Sequence, residues 1–275
     1  MTYKELTQSI KKKQYQPVYF LHGTEPFYID RLTELIEENV LDEAQRSFNQ
    51  MVFYGKDTDP KTLIDTASRY PMMAERQVVI LKEAQDMKQL AALEPYLKNP
   101  VPTTLLLIAH KYKKLDQRTK FAKALKAKSV VFESKKLYDN QVADWITDYA
   151  RSLKLKMAPA AAELIAEYLG TDLSKISNEL DKLRINLEAG SEVTPQTVQD
   201  HIGISKDYNV FEFQAALGTK DYEKAFKIVS YFQDNPSAHP MVMVLSSLYR
   251  YFTKIWIASQ NKNVHQYYAR ISDPT

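Results

Sequence analysis

Hydrophobic positions along the first half of the chain come in short runs that alternate with amphipathic stretches. Val18–Leu21, Asn49–Tyr54, Gln77–Leu81, Thr104–Ala109 and Ser129–Glu133 carry β-rich apolar runs, and the patterns between them predict helices over Pro26–Leu41, Pro60–Ser68, Met87–Leu97 and Gln117–Ala127. Regular alternation of this kind predicts βαβ units and a largely parallel sheet. Thr104–Ala109 is apolar at successive positions, as a strand covered on both faces must be.

After about Leu137 the period-2 signal stops. Gln141–Leu153, Pro159–Leu169 and Leu173–Leu187 read as consecutive helices, the last with Leu173, Ile176, Leu180 and Leu183 on one stripe. Gly170 ends one helix and Thr171 or Asp172 caps the next. Thr194-Pro195-Gln196 opens a short helix with proline at its first position. Val210–Leu217, Tyr222–Phe232 and Pro240–Ala258 form a further helical block, and Met241–Ile257, interrupted by Arg250 and Lys254, reads as a buried helix rather than a membrane span. The resulting plan is an α/β domain over 1–137, a small helical domain over 138–205 and a helical bundle over 206–275.

The turn after the first strand has the outline of a phosphate loop and lacks its chemistry. A working loop needs several glycines followed by Lys and Ser/Thr, so that backbone N–H groups, an ammonium and a hydroxyl hold phosphates and Mg²⁺. Gly23-Thr24-Glu25-Pro26 supplies one glycine, a carboxylate that repels a triphosphate, and a proline without an N–H. No lysine lies between Lys13 and Lys56, which weighs against an atypical P-loop NTPase. The expectation is a nucleotide-binding architecture that binds no nucleotide and needs no cofactor.

Composition narrows the remaining choices. With 44% apolar and 26% charged residues the 275-residue chain is an ordinary globular protein, and a net charge of +3 does not by itself announce a nucleic-acid binder. The absence of cysteine excludes disulfide and zinc-thiolate sites and fits a cytoplasmic protein, as does the polar stretch Met1–Gln16. His22, His110, His201, His239 and His265 are scattered without ligand spacing, and no catalytic constellation stands out.

Two segments carry candidate binding chemistry. Lys111–Lys136 holds Lys111, Lys113, Lys114, Arg118, Lys120, Lys123, Lys126, Lys128, Lys135 and Lys136 against Asp116 and Glu133. Such a run can track a phosphate backbone, making a stand-alone nucleic-acid-binding module one reading; a solvated helix with Leu115, Ala122 and Leu125 inward is the other. No aromatic platform is read among these lysines, so single-strand stacking is not expected. Tyr70-Pro71-Met72-Met73-Ala74-Glu75-Arg76 places two adjacent methionines in a loop, where they serve as a partner anchor or cover the sheet edge.

Taken together, PVYFLHGTEPFYIDRL, PMMAERQVVIL, GTDLSKISNELDKL and VFEFQAALGTKDYEKAFKI resemble, in this order, segments of the delta-subunit family of bacterial DNA polymerase III, the clamp-loader subunits that open the sliding clamp. The resemblance spans Val18 to about Trp256. It implies an AAA+-like α/β domain with a degenerate P-loop, a three-helix lid and a collar bundle that in the family continues past the position of Thr275. It further implies the beta sliding clamp, the gamma/tau and delta prime loader subunits and primed DNA as partners, with no membrane. The chain would carry no catalytic site and would join the DNA polymerase III holoenzyme, a nucleotidyltransferase, as a component. By the same resemblance Met72 and Met73 inherit the clamp anchor, where family members commonly carry Leu and Phe, and Tyr70, Pro71 and Arg76 shape its rim. Lys111, Lys113, Lys114, Arg118, Lys120 and Lys123 are the candidate DNA phosphate contacts.

Overall fold

The computed structural model describes residues 1–202, 208–237 and 240–260 of the chain. The chain divides into two compact units, Met1–Lys136 and Leu137–Thr275.

The first unit opens with α1 (Tyr3–Lys11), absent from the sequence reading and started by a capping box between Thr2 and Glu5. There follow β1 (Val18–Gly23), α2 (Pro26–Asn39), α3 (Glu43–Asn49), β2 (Gln50–Tyr54), α4 (Pro60–Ala67), β3 (Gln77–Lys82), α5 (Glu94–Lys98), β4 (Thr104–Lys111), α6 (Lys120–Lys128) and β5 (Val130–Ser134). The strands form one sheet in the order β2-β3-β4-β1-β5, and every pairing is parallel. This is the largely parallel α/β domain that the alternation implied.

Two apolar layers sandwich the sheet, and β4 feeds both. Leu106 and Ile108 join Val18, Phe20, Val79 and Leu81 on one face. Leu105, Leu107 and Ala109 join Tyr19, Leu21, Val78 and Ile80 on the other, against Ile29, Leu32 and Ile36 of α2. This double burial explains the continuous apolar runs.

Local chemistry corrects two of the helix boundaries. Met87–Leu97 is not one helix: Gln89 takes a left-handed conformation (φ +58°), Leu90–Leu93 forms a 3₁₀ turn, and α5 restarts with Pro95 in its first turn. Proline clashes with the preceding turn of a continuous helix but fits a helix start. The last helix begins at Lys120 rather than Gln117, because the Thr119 hydroxyl accepts the Ala122 N–H (3.1 Å) as N-cap.

The second unit is helical, with α7 (Asp139–Ser152), α8 (Pro159–Leu169), α9 (Leu173–Asn186), α10 (Pro195–Ile202), α11 (Val210–Gly218), α12 (Tyr222–Asp234) and α13 (Met241–Gln260). A two-residue parallel pair, β6 (Lys156–Met157) with β7 (Glu192–Val193), breaks the expected absence of strands, being too short to leave a periodic signal. Phe213, Ala216, Ala225, Ile228, Phe232 and Val244 form a core from α11, α12 and α13. Met241–Ile257 is not the buried helix its apolarity suggested: Val244 and Ser247 are buried, whereas Val242, Leu245, Phe252 and Trp256 are exposed. Among the described residues no helix is long and apolar enough to cross a membrane.

The interior of the sheet sets the stability of the first unit. Leu107→Ala, at a fully buried position of β4, is expected to cost about 2–5 kcal/mol, since a cavity adds to the lost transfer free energy. Urea unfolding followed by circular dichroism measures it.

Candidate functional site

The turn between β1 and α2 is filled by the protein's own groups. Gly23 has φ +141°, and a Cβ there would lie 1.9 Å from the Ser134 carbonyl oxygen, so only glycine permits this approach. That carbonyl accepts the Thr24 N–H (2.9 Å) and the Glu25 N–H (3.4 Å), while the Ser134 hydroxyl donates to the Glu25 carbonyl (2.6 Å). The buried Glu25 carboxylate caps α2 by accepting the Phe27 N–H (3.1 Å). A helix N-terminus favours an anion through its unpaired N–H groups and its dipole. Here a built-in carboxylate occupies that place, and Ser134, unmarked in the sequence reading, completes the closure.

A second charge network spans the carboxyl ends of β3 and β4. The Lys111 ammonium lies 2.6 Å from Glu83 Oε1 and 3.0 Å from Asp30 Oδ1 of α2. Its side chain is only 13% exposed. Burial alone would lower the Lys111 pKa, but the two carboxylates outweigh it and the net shift is upward. Burial likewise pushes Glu83 up, yet hydrogen bonds from Lys111 and Gln85 hold its carboxyl below the ordinary range. Lys111 was expected as a phosphate contact; its charge is instead committed inside the fold, because β4 ends between two carboxylates that lie far away in sequence.

Beside it, β1 and β4 set His22 opposite His110. Two of the histidines that look scattered in sequence are therefore neighbours. Burial lowers the pKa of both. The His22 Nδ1 accepts the Leu115 N–H (3.1 Å), so this ring holds loop backbone.

The apolar loop is exposed and firmly held. Tyr70 is exposed, Met72 is 62% exposed and Met73 is fully exposed, so the methionines do not cover the sheet edge. Met73 adopts φ +52°, a left-handed conformation that costs a non-glycine residue energy. Asn49, at the end of α3 and only 1% exposed, explains how the loop keeps this shape. Its Nδ2 donates to the Met72 carbonyl (2.9 Å) and its Oδ1 accepts the Met72 N–H (2.6 Å). Gln77 anchors the approach to the loop, donating from Nε2 to the Arg69 carbonyl (2.6 Å). Pro71 is half-buried, and the Arg76 guanidinium lies over the Tyr15 ring at 5.0 Å. Phe48, directly before Asn49, adds a further exposed aromatic ring. Neither Asn49 nor Phe48 was singled out by sequence, since the short helix that carries them lies between Asp42 and Gln50 and shows no distinctive pattern.

The remaining basic candidates differ in availability. Lys113, Lys120 and Lys123 are exposed, and the Lys113 backbone bridges to Gly23. Lys114 lies 3.5 Å from Glu133. Arg118 pairs with Asp116 through both guanidinium and backbone, which holds the Asp116 carboxyl down to about 2. Tyr112 stands exposed among these groups, so the run does contain an aromatic side chain at the surface. Among the described residues no three His, Cys, Asp or Glu side chains gather as metal ligands.

Two expected outcomes follow from these contacts. Asn49→Ala leaves both Met72 backbone groups without their partner and is expected to cost about 1–3 kcal/mol, with faster amide exchange over residues 70–74 as the specific readout. Lys111→Met is expected to cost about 1–3 kcal/mol at neutral pH, less than a fully buried pair because the carboxylates are partly exposed. Glu83 has a depressed folded pKa, so its contribution is present above about pH 4.5 and is lost as pH falls through the folded value. The gap between wild type and Lys111→Met in urea midpoints should therefore narrow as pH falls below about 4.5.

With this geometry in view, the comparisons with known proteins are specific. Residues 19–135 match the family described as DNA polymerase III, delta subunit. The DNA polymerase III subunit delta of Bacillus subtilis (strain 168) is 29% identical over 218 residues, covering 76% of this chain and 63% of that protein. The chain thus spans less than two thirds of that relative's length. The solved structure of the Bacillus subtilis DNA clamp loader delta protein shares the fold, with a TM-score of 0.64 at 24% identity over 98% of this chain and 84% of that one. Over residues 19–135 the chain is thus similar to the DNA polymerase III delta-subunit family, and the solved structure supports the fold.

Proposed function

We propose that this chain is the delta subunit of a DNA polymerase III clamp loader, binding the beta sliding clamp and holding its interface open for loading onto primed DNA. The observation that carries the reading is the exposed Met72–Met73 pair, fixed from behind by the buried Asn49. A ligand shifts a closed–open equilibrium only by its preference for the open form. An apolar anchor on a pre-shaped loop suits that task, because little ordering entropy remains to be lost on binding. Burying two methionines is worth roughly 3–6 kcal/mol gross, so the surrounding surface, including Tyr70 and Phe48, must also contribute.

The chain works without ATP in this reading. Support comes from the Glu25 carboxylate at the start of α2, from Ser134 on the Thr24 and Glu25 N–H groups, and from the Lys111 network at the strand ends. These internal contacts also disfavour an atypical NTPase. Energy would come from the gamma/tau subunits, with delta prime completing the loader. Residues 138–205 act as the lid and 206–275 as the collar. The exposed apolar face of α13 supports assembly with other collar helices. Lys113, Lys114, Arg118, Lys120 and Lys123 face DNA phosphates within the loader; Lys111 is withdrawn from that set. The chain contributes no catalytic group of its own to the holoenzyme, and it functions in the cytoplasm.

The test is binding to the sliding clamp of the same organism, wild type beside Met72→Ala/Met73→Ala. We expect the double variant to bind at least about thirtyfold more weakly, from loss of roughly 2 kcal/mol or more of net burial, with an unchanged melting temperature. Equal binding by the two proteins would move the clamp anchor off this loop.

A further inference from the structure

The loop that leaves β4 is strained, pinned on several sides and exposed at its tip. Tyr112 has φ +65°, a left-handed conformation that a bulky residue adopts only where its surroundings enforce it. The enforcing contacts are visible. The Lys111 N–H donates to Gln85 Oε1 (2.9 Å), and the Lys111 ammonium is tied to Glu83 and Asp30. Lys113 pairs with Gly23 through an isolated antiparallel bridge. The Leu115 N–H is held by His22 Nδ1 (3.1 Å), and Leu115 itself packs on the core of the sheet.

What this scaffold presents outward is an aromatic ring between basic residues. Tyr112 is 59% exposed, and its side chain has no hydrogen-bond or ring partner among the described residues. Lys113 and Lys114 follow it directly, at the head of a segment with ten basic residues against two acidic ones. Rings on which bases stack, flanked by cations that meet phosphates, are the chemistry of single-strand binding. An acidic protein surface would use the lysines and would have no need of an exposed ring held out on a pinned backbone.

We infer that Tyr112, Lys113 and Lys114 form a single-stranded nucleic-acid site in which the Tyr112 ring stacks on an unpaired base and the two lysines contact its flanking phosphates. The inference rests on the proposed DNA-facing role of the basic run and deepens it by naming the strand type and the stacking residue. Lys111 is a positioning residue here: its charge is spent on Glu83 and Asp30, which keeps the loop rigid.

The experiment uses the full chain and a fluorescent oligothymidylate of roughly a dozen nucleotides carrying one photoreactive iododeoxyuridine, at about 50 mM and about 200 mM salt. Tyr112→Gly suits the left-handed backbone and so preserves or improves folding while deleting the ring. We expect a crosslink at Tyr112, near-wild-type affinity for Tyr112→Phe, and about tenfold weaker binding for Tyr112→Gly. Lys113→Gln/Lys114→Gln should weaken binding and reduce the magnitude of the salt slope by roughly 1.4, at about 0.7 per phosphate. Wild-type affinity in Tyr112→Gly with a crosslink elsewhere overturns the stacking site, while weakening by the lysine variant alone leaves the phosphate reading standing. Absence of oligonucleotide binding at low salt overturns both. Loss of clamp binding but not oligonucleotide binding in the lysine variant assigns the loop to a protein surface and also overturns the proposal.

Discussion

The first turn of α2 governs much of the first unit. A helix that starts at the carboxyl end of an interior strand brings unpaired N–H groups and a positive dipole end to the edge of the sheet. Leaving those donors dry would cost several hydrogen bonds. In this chain the demand is met internally: Glu25 caps the helix, and the Ser134 carbonyl takes the N–H groups of Thr24 and Glu25. Gly23 is obligatory because that carbonyl passes where a Cβ would sit. The same contacts tie β5 to the start of α2.

With the strand ends occupied by the chain's own groups, the surface there is set by what projects beyond them. Two loops do so, and they share a design. In each, a residue in the left-handed region stands outward, Met73 in one and Tyr112 in the other. In each, a polar side chain from a distant segment holds the backbone: the buried Asn49 for Met72, and Gln85 for the Lys111 N–H, whose ammonium Glu83 and Asp30 also hold. A backbone already fixed in the free protein leaves less ordering entropy to lose in any binding event.

Much of the architecture was legible in the chain. The parallel sheet followed from strand runs alternating with amphipathic helices, and α8 and α9 followed from Pro159, Gly170 and Asp172 as start and stop signals. Reading failed where the signal was short or competed with local stereochemistry. The α3 helix is seven residues long, the β6–β7 pair spans two residues per strand, and Gln89 with Pro95 broke an otherwise helical pattern. The α13 helix failed for another reason: apolar composition reports a preference for burial, and most of that helix has no covering element among the described residues.

The sequence by itself determined the strand and helix types, the loss of phosphate-loop chemistry at Gly23–Pro26 and the unusual Met72–Met73 pair, because each depends on residues adjacent in the chain. Only the tertiary structure decided which of these groups are available. Lys111 looks like its lysine neighbours until β3 and α2 bring Glu83 and Asp30 to it. Asn49 is an unremarked polar residue until the fold sets it against Met72, more than twenty positions away. Tyr112 reads as one residue in a charged run until its pinned backbone turns the ring outward. Backbone propensity is local and can be read along the chain, whereas ion pairing, burial and exposure are relations between distant segments that exist only once the sheet has formed.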